Sequence, residues 1–208
     1  MKNYKKSFRT VLRHCYPEEA GSLLSLINHR FAEISDDVRF ARMSNNPMDR
    51  RMDAAGYFLA MMMVLDKEGA SFERIREISL QVAHHYVRPR NSIEAWFKRL
   101  PVKLMGNPFM NIFLKKLDRR IGQKAYSEGF VARIITDPQD TYGLGYGVDI
   151  LECGICKLYA KYDYKKFATI LCEVDHITSA LAGLQIIRSG TIAHGAVKCD
   201  FRYKKLSQ

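Results

Sequence analysis

Apolar positions recur along the first half of the chain at the spacing of helices. Leu23, Leu24, Ile27 and Phe31 form one stripe, and Pro17 followed by Glu18 and Glu19 reads as its start. After the polar stretch "RMSNNPMDRR", Asn46 is an N-cap candidate before Pro47. The next helix should run to about Leu65 and stop near Gly69. It is apolar on several sides, which predicts a central core helix with Met61, Met62 and Met63 as filler. Ser71 is the expected N-cap of a third helix carrying Phe72, Ile75, Ile78, Val82 and His85, ending before Pro89. Residues 92–124 read as two shorter helices, with Trp96, Phe97, Phe109 and Phe113 assigned to the core.

The period changes at Gly129. "FVARIITDP" is a β-branched run closed by a turn, and "DTYGLGYGVDILEC" carries three glycines two apart. That spacing is not a nucleotide-binding loop; it suits a strand crossed closely by another element. A single long helix is expected from about Cys156 to Ala182, then a hairpin over Leu184 to Lys204. Helices followed by strand, strand, helix, strand, strand predict an α+β fold with an antiparallel sheet. The expected organisation is a helical region, 1–128, and an α+β portion, 129–208, in one compact unit.

Composition adds limits. The chain has 208 residues, 47% hydrophobic and 26% charged, with no run approaching the ~20 apolar residues of a membrane span. The N-terminus lacks a signal-peptide core, so a cytoplasmic protein is expected. Net charge is +11 and uneven: residues 1–130 hold 23 Lys+Arg against 14 Asp+Glu. The basic stretch 88–124 is expected to be a solvated helical face, with an anionic membrane surface or nucleic acid as the competing partner.

The candidate chemistry lies in the last third, which holds four of the five cysteines. Cys172, Asp175 and His176 stand at i, i+3 and i+4 on one helical face, as a nucleophile and base would, or as ordinary packing. Cys153 and Cys156 have the spacing of half a zinc site, but in one unbroken helix Cys172 would lie about 24 Å from that pair. They could meet only if the helix broke, for example near Asp163, and folded back, so no metal is expected. The hairpin has two possible registers. A two- or four-residue loop sets Arg188 with Cys199 and Phe201 and turns Asp200 and Arg202 the other way; a three-residue loop reverses this.

Taken together, "ECGICKLY", "LCEVD" and "RSGTIAHGAVKCDFRY" resemble the L-2-amino-thiazoline-4-carboxylic acid hydrolase family over about residues 141–203. The family pattern is carried by Cys153, by Cys172 with Asp175, by Arg188 with Thr191, and by Gly195 with Cys199, Asp200, Phe201 and Arg202. Cys156 and His176 have no place in it. The resemblance implies cofactor-free hydrolysis of a thiazoline ring to a carbamoyl-cysteine. It also implies a pocket like that of the vinyl-reductase-like small-ligand domains, between helices and sheet. Arg188 or Arg202 would clamp the substrate carboxylate, with Thr191 and Cys153 also contacting substrate. Asp200 or Asp175 would be the base and Cys199 or Cys172 the nucleophile. Carboxylate-activated water, with Asp200 first, is the preferred form. The alternatives are a non-catalytic small-ligand-binding domain and an adaptor working through residues 88–124.

Overall fold

The computed structural model describes residues 4–89, 108–142 and 144–206. The fold is α+β. Four helices come first: α1 (Tyr4–Cys15), α2 (Ala20–Val38), α3 (Met52–Lys67) and α4 (Phe72–Val87). Then follow α5 (Pro108–Gly122), β1 (Val131–Ile135), β2 (Gly147–Glu152), α6 (Gly154–Lys161), α7 (Ala168–Leu181), β3 (Leu184–Ile187) and β4 (Cys199–Lys205). The strands form one antiparallel sheet in the order β1-β2-β4-β3. Among the described residues no helix is long and apolar enough to cross a membrane.

Helix α3 is the centre of the core, as its pattern predicts: Met61 and Met62 are fully buried and Met63 nearly so. Ser71 caps α4 by accepting from the Arg74 amide at 3.2 Å. Asn46 instead accepts from the Met48 amide and leads into a 3-10 turn, Asp49–Arg51, ahead of α3. Helix α1 was not anticipated, although Tyr4, Phe8, Val11 and Leu12 are its buried stripe. Pro17 lies in the turn before α2 rather than at its first position.

Three expectations are corrected. Phe113 is 58% exposed, because α5 buries Leu114 and Ile121 and turns residues 112 and 113 outward. Trp96, Phe97 and the side chain of Phe109 lie outside the described residues. The long helix is broken: α6 ends at Lys161, Asp163 takes a left-handed conformation (φ 62°), and α7 starts again at Ala168. Asp is one of the few non-glycine residues that adopts that conformation at small cost. Finally, β3 and β4 are joined by residues 188–198 with a 3-10 turn, Ile192–His194, rather than by a tight loop. Their register, Ile187 opposite Arg202, is that of the even-loop alternative.

Glycine at 147 serves the close crossing inferred from the sequence. A Cβ there would stand 2.8 Å from both the Phe201 carbonyl oxygen and Arg202 Cδ.

Candidate active site

The break at Asp163 folds α7 back beside α6 and brings the four C-terminal cysteines together. Cys153 sits at the N-cap of α6, in extended conformation. Glycine at 154 lets the start of α6 pack closely on α3 and the chain before β1, where a Cβ would meet the Glu128 carbonyl at 2.8 Å and Met52 Sδ at 2.9 Å. Cys172 comes from the second turn of α7 and Cys199 opens β4 on its buried face. Charge on Cys153 opposes ionisation of Cys172 and Cys199, and charge on all three opposes that of Cys156. All five cysteines of the chain are free. The 24 Å separation that an unbroken helix would impose therefore does not exist. Among the described residues, however, no three His, Cys, Asp or Glu side chains are arranged to hold a metal ion.

The four thiols differ in their surroundings. Cys153 is held below the ordinary thiol range, chiefly by a hydrogen bond from the Cys156 thiol. Burial opposes this, and the amides of Cys156 and Ile155 reinforce it. Cys156, as the donor, is pushed far up. Burial raises Cys172 to about 11 despite a hydrogen bond with Thr191, and burial raises Cys199 despite the Ile192 amide at 3.2 Å. One thiol held below its ordinary range beside three raised ones is the pattern of a reactive cysteine with a proton reserve.

Asp175 faces this cluster from α7. Arg188 Nη1 stands 3.6 Å from one carboxylate oxygen and Arg51 Nη1 3.7 Å from the other, ion-pair distances too long for hydrogen bonds. Burial nevertheless raises the Asp175 carboxyl, with both guanidiniums pulling the other way. Arg188 is only 11% exposed. Its Nη2 donates to the Cys172 carbonyl at 2.9 Å, its guanidinium lies 5.2 Å from the Phe201 ring centre, and its Nη1 has no hydrogen-bond partner. A buried donor without a partner is costly in a folded protein. Thr191, 3% exposed, bridges Cys172 and His194 Nδ1 (2.7 Å).

Asp200 and Arg202 lie on the other face of β4. The Asp200 carboxylate accepts from the amides of Ser189 (3.0 Å) and Gly190 (3.0 Å) and from the Ser189 hydroxyl (2.6 Å). Burial pushes this carboxyl up, but those donors outweigh it and hold it below the usual range. Arg202 donates to Asp149 at 2.8 Å, and Lys198 donates to the same carboxylate at 2.6 Å. His176 is exposed. Of the sequence candidates, then, Cys153, Cys172, Cys199, Asp175, Arg188 and Thr191 converge, while Asp200 and Arg202 serve the loop and the sheet. Cys156, weighed in the sequence only as half a zinc site, and Arg51 also join the cluster. The C-x-x-C spacing was a signal for the first; nothing in the sequence near Arg51 was a signal for the second.

Beside the cluster lies a cavity of about 650 Å³, with Ile155 and Asp175 in its wall. Its other described walls come from α1, α3, α4, α7 and the two 3-10 turns between α2 and α3. Among the described residues no strand residue lines it, so this space lies between helices rather than between helices and sheet.

A family model described as L-2-amino-thiazoline-4-carboxylic acid hydrolase matches residues 50–203. No curated protein and no solved structure matches the chain significantly.

Proposed function

The chain belongs to the L-2-amino-thiazoline-4-carboxylic acid hydrolase family, and from that premise we propose that it opens a small cyclic amidine-like substrate, such as a 2-amino-thiazoline carboxylate, to a carbamoyl-cysteine. What supports the mechanism is the place of Cys153 at the N-cap of α6, where the Cys156 thiol draws it below the ordinary thiol range, with Asp175 close by and Arg188 beside Cys172 and Cys199. This reading moves Cys153 from substrate contact to nucleophile and the acid–base role from Asp200 to Asp175.

The substrate carboxylate occupies the free donor of Arg188. Cys153 Sγ attacks the ring carbon between nitrogen and sulfur, forming a C–S bond. The ring C–S bond then breaks, and the departing sulfur takes a proton from the Asp175 carboxyl, whose hold on a proton burial strengthens. The carbon is now bound to Cys153 as an isothiourea. Asp175, as carboxylate, takes a proton from water; the oxygen adds to that carbon, and Cys153 leaves as thiolate. One water is consumed, and the products are a free substrate thiol and a urea. Cys172, Cys199 and Thr191 form the wall around the reacting atoms.

The test is turnover of 2-amino-thiazoline-4-carboxylate, followed by release of the substrate thiol. Cys153→Ser should lower kcat/KM by about a thousandfold or more. A variant that retained most of the activity would return the mechanism to carboxylate-activated water.

A further inference from the structure

A single thiazoline ring with its carboxylate would leave most of the neighbouring cavity to water. About 650 Å³ falls within the roughly 300–1,000 Å³ that encloses drug-sized ligands. The wall is chiefly hydrocarbon and aromatic, with Tyr4, Phe8, Phe58, Tyr86, Leu171 and Val174 contributing. The charged lining comes from the two 3-10 turns between α2 and α3 and from α3 and α7: Arg42 pairs with Asp53 at 3.1 Å and Arg51 with Asp175 at 3.7 Å, and Arg50 stands on the exposed rim. Such a space recognises an apolar group rather than a second charge. Asp175 belongs both to this lining and to the cysteine cluster. Neither Cys153 nor Arg188 lines the cavity, so a group on the carbon attacked by Cys153 would enter it past Asp175 and Ile155, with a ring carboxylate held at Arg188.

We propose that the cavity takes an apolar substituent on the reacting ring carbon, so that the substrate class is 2-alkyl- or 2-aryl-thiazoline carboxylates and the product an N-acyl-cysteine. The proposal rests on the hydrolase reading for its chemistry and on the cavity for its specificity. The balance is unchanged. Cys153 adds to the ring carbon, the ring sulfur leaves with a proton, and the resulting thioimidate takes up water and expels Cys153, leaving an amide and a thiol.

The experiment uses 2-methyl-, 2-butyl- and 2-octyl-thiazoline-4-carboxylate. Binding is measured by calorimetry on the Cys153→Ala protein, where no chemistry intervenes, and turnover on the unaltered protein. Affinity should rise about threefold to fourfold per methylene until the cavity fills. In Ala54→Trp, which places an indole on the cavity wall, the gain from methyl to octyl should shrink at least tenfold. Equal affinity across the series, or an unchanged gain in Ala54→Trp, overturns the proposal. If the tryptophan variant does not fold, the series on the Cys153→Ala protein decides alone. Chain-length-dependent binding without turnover would overturn the hydrolase reading and leave the cavity assignment standing. Turnover of the 2-amino compound with no chain-length dependence would do the reverse.

Discussion

At the scale of single residues, the site is organised by who holds whose proton. Cys153 is the thiol of the cluster held below its ordinary range, and its principal donor is Cys156. Cys156→Ala should therefore raise the Cys153 pKa and shift the acid limb of the kcat/KM profile upward; thiolate ultraviolet absorbance against pH should move with it. An unmoved limb would assign the thiolate to the helix amides alone. Arg188→Ala should raise KM while largely keeping kcat, because a charge-assisted contact to a carboxylate is worth about 1.5–3 kcal/mol and is made in ground and transition states alike. An unchanged KM would make Arg188 a structural tie to the Cys172 carbonyl. Asp200→Asn should have the opposite profile, with activity largely retained and stability reduced by about 1 kcal/mol. The sign follows from its depressed carboxyl. The stabilisation is present above the unfolded carboxyl's pKa of about 3.9 and is lost as pH falls through the folded value. The wild-type stability advantage over the variant should thus vanish in acid, as read by urea melts at several pH values. Strand alternation alone sets Cys199 and Asp200 on opposite faces; what it left open was which of the two shares a face with Arg188.

At the scale of elements, the β3–β4 pair was legible from strand parity, whereas the α6–α7 break was legible only as the condition on which the cysteines could meet. Strand parity restricts the first to two registers, and the structure takes the one that sets Arg188 over Phe201 and turns Asp200 to Ser189. The apolar spacing of Phe167, Ile170, Leu171 and Val174 continues so regularly that periodicity alone reads through the break before it. The local signal was Asp163, a residue able to adopt φ 62°. A β-branched residue cannot do so cheaply, so Asp163→Val should cost about 1–2 kcal/mol in chemical denaturation, whereas Asp163→Gly should be near neutral. If valine were tolerated, the turn would be set by the packing of Tyr159 and Phe167, both fully buried, and not by the backbone at residue 163.

At the scale of the whole molecule, the helical half and the sheet share one core, which runs from Phe8 through α3 to Ala132, Ile150 and Phe201. The sequence could be divided near residue 128 because its periodicity changes there, but periodicity carries no information about what crosses the boundary. The crossing is polar as well as apolar. Asp49, 1% exposed, accepts from the Phe130 amide at 2.8 Å and from the Ser44 hydroxyl at 2.5 Å. Asn46 donates to the Phe130 carbonyl at 2.9 Å. The turn that holds Asp49 also carries Arg51 toward Asp175, so the same few residues join the halves and complete the site. Asp49→Ala leaves a buried amide without its acceptor, which costs about 1–3 kcal/mol. If the halves are one cooperative unit, that loss should lower the midpoint of a single unfolding transition, with helical circular dichroism and alkylation of Cys199 reporting the same curve. Two separated transitions, the cysteine exposed before the helices melt, would instead show that the sheet with α6 and α7 is a unit of its own, docked on the helices through residues 46–51.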